Sequence, residues 1–465
     1  MRYVSTRGGS RPLNFESAML AGLASDGGLY VPEYWPEFTE DFIARLAGQS
    51  YEEIAFRIMR PFVGDSFSEG ELRGYISRAY DGFGHAARCP LVQIESSSFL
   101  LELFHGPTLA FKDFAMQLVA QLFQAALSRR GERATIIGAT SGDTGSAAIE
   151  AFRGLDSVSV FILFPEGRIS EVQRRQMTTP CEANVHALAV RGDFDDCQAR
   201  VKDMFNDASF RQEMSLAGIN SINWARVAAQ MVYYFASATA LGSPMRKVSF
   251  SVPTGNFGDI YAGYAARASG LPIERLVLAT NQNDILDRAI RSGQYRTAGV
   301  RPSLSPSMDI QVSSNFERAL YEASGRNGAA VSGMMARLAG EGGFELGELV
   351  LAWLREQFAS GNCREDETVE TIAEVFRHSG EVVCPHTAVG VKVAWDHAVA
   401  RRSAPMVILA TAHPAKFPDA VKDATGFAPE LPSRFDGLGQ AAERVHSVDN
   451  DLDEIKDAIR RGLPA

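Results

Sequence analysis

Lys112 lies in the run His105-Gly106-Pro107-Thr108-Leu109-Ala110-Phe111-Lys112-Asp113-Phe114, at the head of a stretch where Phe111, Phe114, Leu118, Leu122 and Ala125 share one helical face. Most lysines are solvated, but this spacing sets the amine beside the buried face. Burial lowers a lysine's pKa and frees its amine to attack a carbonyl. Two glycine turns follow apolar runs: Thr140-Ser141-Gly142-Asp143-Thr144-Gly145 and Pro253-Thr254-Gly255-Asn256-Phe257-Gly258. Each would aim free backbone N–H groups at the space beyond a strand end, where a helix N-terminus suits a phosphate or carboxylate. Glycine lets an anion approach the backbone closely. Neither turn matches G-x-G-x-x-G or a Walker A motif, so dinucleotide and nucleoside triphosphate chemistry lose support. A single such turn also serves as a plain tight connection, but two in one chain point to a doubly anionic ligand set. A phosphate cup, a carboxylate cup and a desolvated lysine together fit pyridoxal 5'-phosphate (PLP) bound as a Schiff base.

The elements that must carry these residues alternate. Near-continuous apolar runs at Ala134–Ala139, Val158–Phe164, Val185–Val190, Val248–Val252, Leu276–Ala279 and Met406–Leu409 read as strands covered on both faces. Helical patterns fall at Lys112–Ser128, Thr144–Arg153, Ser221–Ala240, Asp259–Ala268, Glu367–His378 and His386–Ala400. Alternation of this kind predicts an α/β fold with open, mostly parallel sheets and right-handed crossovers. The division reads as an N-terminal unit over 1–90, a first α/β lobe over 91–244 with the lysine and the carboxylate loop, a second lobe over 245–440 with the phosphate loop, and a helical tail over 441–465. Ser324–Gly347, rich in Gly and Ala, reads as a helical insertion or loop.

The 465 residues suggest about three folding units, or two with decoration. With 46% hydrophobic and 22% charged residues, the chain reads as soluble and globular, not disordered. A net charge of −10 and only scattered basic doublets, such as Arg174-Arg175 and Arg401-Arg402, argue against nucleic acid as a partner. The longest apolar stretch, Val227–Leu241, contains Gln230 and reads as a buried helix, so no membrane partner is expected. Arg2, Arg7 and Arg11 precede any acid, as in a transit peptide, but Gly8, Gly9 and Pro12 would break the helix such a peptide needs. Cys89, Cys181, Cys197, Cys363 and Cys384 are odd in number and form no C-x-x-C pair, which fits reduced thiols in a cytoplasm. Cys384-Pro385-His386 lacks the spacing of a metal site, and no metal is expected.

The block Glu102–Asp113 resembles the cofactor-lysine motif of the threonine synthases, PLP enzymes of fold type II with a tryptophan synthase β-like fold. The resemblance runs through most of the chain. It includes Arg2–Gly8, Asp26–Pro32, Thr140–Gly145, Asn220–Asn223, Ser251–Asp259 and Thr411–Phe417. It implies that Lys112 holds the cofactor aldehyde and later shuttles protons. Gly255, Asn256, Phe257 and Gly258 would cradle the cofactor phosphate, and Thr411 would hydrogen-bond the pyridine nitrogen. Ser141, Gly142, Asp143, Thr144 and Gly145 would receive the substrate α-carboxylate, although the charge of Asp143 disfavours an anion unless its side chain points away. A helix N-cap is the other reading of Asp143. Arg226, Lys416 and Asn223 would bind the substrate phosphate; an ion pair elsewhere is the alternative for the two cations. His105 and His413 lie in motif turns and read as structural. The family pattern suggests Asp at position 384, where this chain has Cys384.

The reaction so implied is a β,γ-replacement that turns O-phospho-L-homoserine and water into L-threonine and phosphate, with a small-molecule substrate and a monomer or homodimer. Two other readings share the scaffold: a phospho-lyase acting on O-phosphothreonine or O-phosphohomoserine to give 2-oxobutyrate, and a non-catalytic ligand-binding protein. An unrelated phosphosugar or nucleotide binder would leave the Phe111-Lys112-Asp113 context unexplained.

Overall fold

The computed structural model describes residues 1–218, 220–398 and 404–463. Val158–Pro165, buried along its whole length, is the middle strand of a five-stranded sheet. Such a strand needs helices on both faces, which parallel βα units supply. The order across this sheet is His446–Asp449, Val185–Arg191, Val158–Pro165, Ala134–Ala139, Leu216–Ala217, and every pairing is parallel. A second sheet has six strands in the order Phe358–Asn362, Ile273–Thr280, Val248–Pro253, Met406–Ala410, Ser98–Glu102, Leu91–Gln93. Only its last pairing is antiparallel.

Helix spans follow the sequence pattern within a few residues: Lys112–Arg130, Asp143–Phe152, Trp224–Ala240, Gly258–Ala268, Glu365–Ser379 and Pro385–Ala398. The predicted end of the last at Ala400, and the doublet Arg401-Arg402, lie outside the described residues. Ser324–Gly347 holds a helix, Gly328–Glu341, and a short strand, Gly343–Glu345, paired with Gln294–Arg296.

The partition of the chain differs from the expected one in two places. Ser98–Glu102 and Leu91–Gln93, expected in the first lobe, join the second lobe's sheet, where Leu100 pairs with Ile408. The tail is more than a helix: Val448 pairs with Val190, so His446–Asp449 completes the first lobe's sheet before the helix Leu452–Gly462. An apolar edge explains the second. Strand Val185–Arg191 would otherwise leave its outer side open, and Val448, Ile455 and Ile459 share a core cluster with Phe161, Leu188 and Val190.

The lysine helix, Lys112–Arg130, buries Phe114, Leu118, Val119, Leu122 and Phe123, each worth about 1.5–3 kcal/mol. Gly131 in the left-handed region (φ 63°) closes it, with Arg129 and Arg130 complementing the dipole. The N-terminal unit pairs Tyr3–Ser5 with Tyr30–Pro32 and adds the helices Phe15–Ala21, Tyr51–Val63 and Glu69–Asp81. It packs directly on the lysine helix: the rings of Tyr51 and Phe114 lie 5.3 Å apart, and the Tyr80 hydroxyl donates to the Phe114 carbonyl at 3.0 Å. Trp224–Ala240 is buried on nearly every face, as a helix apolar all round must be. No helix among the described residues is long and apolar enough to cross a membrane.

Candidate active site

Four parallel strands end where the chemistry-bearing residues begin, the position open α/β sheets use for ligands. Ser98–Glu102 leads to Lys112, Ala134–Ala139 to the loop 141–145, Val248–Pro253 to the turn 255–258, and Met406–Ala410 to Thr411. An isolated bridge between Ala110 and Ala412, with the Phe111 N–H donating to the Thr411 carbonyl at 2.8 Å, fixes Lys112 beside Thr411. Both side chains are buried.

Burial pushes the Lys112 amine below its ordinary value; Lys416 and Arg226 push the same way, against the pull of Asp143. Lys112 Nζ stands 3.6 Å from Asp143 Oδ2, and Lys416 Nζ lies 2.6 Å from Asp143 Oδ1. Lys416, with no solvent exposure of its side chain, also donates to the Thr108 carbonyl at 2.8 Å. Gln173 Nε2 adds a bond of 2.9 Å to Asp143. Burial alone would raise the Asp143 carboxyl; Lys416 and then Lys112 overrule it and hold it well below the usual carboxylate range.

Asp143 is therefore not a helix cap. Gly142, at φ 144°, takes the cap position, and Asp143 opens the helix with its carboxylate turned to the two lysines. Of the loop's N–H groups, those of Gly142 and Gly145 donate to Thr140 Oγ1 at 3.0 and 2.9 Å. Those of Ser141, Asp143 and Thr144 meet no acceptor among the described residues. Asn223 has both ends of its amide engaged: Oδ1 caps its helix at Ala225 N, and Nδ2 donates to the Met19 carbonyl at 2.8 Å. Arg226, one turn on, is buried, which lowers its guanidinium to about 10, and it lies within electrostatic reach of Lys112.

The turn 255–258 has the shape a phosphate requires. Phe257 is left-handed (φ 62°), and no described residue accepts from the N–H groups of Gly255, Asn256, Phe257 or Gly258. A Cβ on Gly255 would sit 2.9 Å from the Ser307 carbonyl oxygen, so only glycine fits there. The donor-rich turn, the desolvated amine of Lys112 and the hydroxyl-bearing Thr411 together match the phosphate, aldehyde and ring nitrogen of PLP.

Some residues of this neighbourhood carry no clear mark in the sequence. Asp259, next to the turn 255–258, accepts from Tyr233 and Tyr234 hydroxyls at 2.6 and 2.9 Å. Its Oδ2 is buried without a partner among the described residues, and burial pushes it up to about 6. Its place on the apolar face opening Asp259–Ala268 was the available signal. Burial holds His386 down at about 3, and thus neutral; its Nε2 accepts from Ser307 N at 3.2 Å. Cys384 accepts from Thr387 N at 3.5 Å, a thiol in the place of an oxygen cap. His105 bonds Glu102 at 2.7 Å, and His413 Nδ1 accepts from Ala415 N at 3.2 Å.

Comparison with known proteins matches the whole chain. Residues 2–80 match the family described as threonine synthase N terminus, 84–341 the pyridoxal-phosphate dependent enzymes, and 387–459 the threonine synthase C-terminal family. The threonine synthase of Pseudomonas aeruginosa is 52% identical, with all of both chains covered. The chain belongs to the threonine synthase family. The PLP-bound threonine synthase of Brucella melitensis superposes with a TM-score of 0.97 at 54% identity, covering all of both chains. The yeast threonine synthase gives 0.94 at 40% identity, covering 99% of this chain and 98% of that one. The two-lobed architecture is that of fold-type II PLP enzymes, and the family's cofactor is PLP. A PLP-dependent aspartate racemase, 12% identical, shares the fold alone, with a TM-score of 0.51 over 74% of this chain and 94% of that one.

Proposed function

We propose that this chain converts O-phospho-L-homoserine and water to L-threonine and phosphate, as the PLP-dependent lyase that completes threonine biosynthesis. One observation carries the reading: the buried Lys112 amine, lowered by its surroundings, stands 3.6 Å from Asp143 in a chain matched end to end by threonine synthases. Bound here, PLP would supply an electron sink for the negative charge that develops at the substrate Cα.

The chain's own residues divide the remaining work. Gly255, Asn256, Phe257 and Gly258 would hold the cofactor phosphate on N–H groups that meet no acceptor among the described residues, and Lys112 would hold the aldehyde end. The Thr411 hydroxyl would bond the ring nitrogen and, being neutral, would leave it largely unprotonated. The free N–H groups of Ser141, Asp143 and Thr144 receive the α-carboxylate, while Gly142 and Gly145, tied to Thr140, shape the loop. Lys416, 2.6 Å away, neutralises the Asp143 charge that would otherwise repel that anion. With substrate bound, the Lys112 amine would move protons at Cα, Cβ and Cγ, a role typically worth about 10²–10⁴-fold per positioned acid or base. Lys416 keeps one of its three N–H donors for a phosphate oxygen, and Arg226 adds a second buried positive charge. Asn223, engaged at both ends, positions the Arg226 helix rather than the phosphate. The cysteines, all free and all but Cys181 buried, fit a reducing cytoplasm.

Incubating the purified protein with O-phospho-L-homoserine and measuring phosphate and amino acid tests the reaction. L-Threonine in step with phosphate is expected; 2-oxobutyrate in its place would refute the synthase reading. Borohydride trapping followed by mass spectrometry should find the pyridoxyl adduct on Lys112, and Lys112→Ala should lose both adduct and turnover.

A further inference from the structure

The phosphate turn is gripped from behind. The Gly255 carbonyl accepts from Ser313 Oγ at 2.7 Å, and the Asn256 carbonyl accepts from Asn315 twice, from its backbone N–H at 3.1 Å and from Nδ2 at 2.9 Å. In a trans peptide the C=O and the following N–H point in opposite directions. Pulling the Gly255 carbonyl toward Ser313 therefore turns the Asn256 N–H away from it, and pulling the Asn256 carbonyl toward Asn315 does the same for the Phe257 N–H. These are two of the donors that meet no acceptor among the described residues.

The grip is itself anchored. Arg318 donates to Asn315 Oδ1, which fixes which end of that amide is the donor. Its other nitrogens reach the Tyr30 carbonyl at 2.8 and 3.1 Å and the Ile222 carbonyl at 2.7 Å. Ser313, Asn315 and Arg318 are all buried, the last two with no exposed surface. Ser307, whose carbonyl packs where a Gly255 side chain would be, is pinned in turn by His386. The segment 305–318 thus links the N-terminal unit, through Tyr30, to the peptide planes of the phosphate turn.

We infer that Ser313 and Asn315, held by Arg318, are positioning residues that orient the Asn256 and Phe257 N–H groups toward the cofactor phosphate. This rests on the proposed placement of that phosphate in the turn 255–258. The effect is selective. A misoriented N–H weakens phosphate binding but leaves the attachment of the aldehyde to Lys112 and the contacts of the ring untouched. Charge-assisted hydrogen bonds of this kind are worth about 10–100-fold in affinity each.

The test strips the protein of cofactor and titrates it with PLP and with pyridoxal, which has the same ring and aldehyde but no phosphate. Wild type should bind PLP far more tightly than pyridoxal. Ser313→Ala and Asn315→Ala should each weaken PLP by about 10–100-fold while changing pyridoxal less than about 3-fold, and Ser313→Thr, which keeps the hydroxyl, should restore the preference. A wild type that binds both aldehydes alike would overturn the placement of the phosphate itself. A wild-type preference that survives in the alanine variants would overturn the positioning role alone, as would an equal loss for both aldehydes. Should Asn315→Ala fail to fold, Ser313→Ala and Ser313→Thr decide the matter.

Discussion

Replacing Lys416 with Met removes the nearer of two cations from a carboxylate that is almost entirely buried. In the cofactor-free protein, where Lys112 carries no aldehyde, an effective dielectric of about 20 makes Lys416 at 2.6 Å attract Asp143 by about 6 kcal/mol and Lys112 at 3.6 Å by about 5. Part of the attraction lost with Lys416 is offset because its ammonium no longer has to be desolvated, and Lys112 and Gln173 remain on the carboxylate. The net loss should therefore fall in the range for a broken buried pair, about 3–5 kcal/mol. Urea unfolding of cofactor-free wild type, Lys416→Met, Asp143→Asn and the double variant closes a mutant cycle, and the double variant should recover more than half of the loss. The pH dependence gives a second handle. In wild type the folded-state pKa of Asp143 is depressed, so its contribution is present above about pH 4 and is lost as pH falls through the folded value. Without Lys416 that value rises toward the unfolded one, so the deficit of Lys416→Met should be fully present at pH 8 and should shrink as pH falls below about 4. A Lys416→Met protein within about 1 kcal/mol of wild type at pH 8, with no coupling to Asp143→Asn, would refute the account of this cluster.

Asp259 is raised to about 6 in the folded protein, so the fold gains from its protonation and loses stability as pH climbs from about 4 through 6; Asp259→Asn should flatten that part of the pH–stability curve of cofactor-free protein, followed by thermal denaturation. Cys384 meets the first turn of the helix Pro385–Ala398 through sulfur contacts to the Thr387 N–H at 3.5 Å and the Thr387 hydroxyl at 3.2 Å, so Cys384→Ala should cost about 1 kcal/mol in the same assay. Val448→Asp should destabilise the first lobe by about 3–5 kcal/mol, because the carboxylate would be buried among Phe161, Leu188 and Ile455 without a partner. Amides of Val185–Arg191 should then lose hydrogen-exchange protection ahead of the six-stranded sheet.

The sequence was most readable where one residue's surroundings are set by its neighbours in the chain. Val158–Pro165 and Val248–Pro253 declare themselves by having no polar face, and the helix after Lys112 by its periodicity. Edge strands carry no such mark. Phe358–Asn362 is half polar with a glycine, and three of the four residues in His446–Asp449 are exposed, because one side of an edge strand faces water. Chain order misplaced Ser98–Glu102, whose partners Met406–Ala410 lie in the last quarter of the chain. The site divides the same way. The burial of Lys112 and the placement of the two glycine turns after strands were legible because both are set by local pattern. The destination of the Asp143 carboxylate was not, because Lys416 and Gln173 arrive from distant segments, and neither was the use made of Asn223, whose amide is spent on Ala225 and Met19. Ser313, Asn315 and His386 carry ordinary residue types in unremarkable contexts, and only the folded chain brings them against the turn.

The crossed ownership of strands has a consequence for biosynthesis. As the nascent polypeptide leaves the ribosome, Ser98–Glu102 waits for Met406–Ala410, and the rim of Val185–Arg191 waits for His446–Asp449 and the apolar side of Leu452–Gly462. Leu188 and Val190 stay uncovered through most of translation, an interval in which sticky rims recruit chaperones or one another. Maturation should accordingly be post-translational and concerted between the lobes, and splitting the gene near position 244 should yield two insoluble fragments instead of two independent folds.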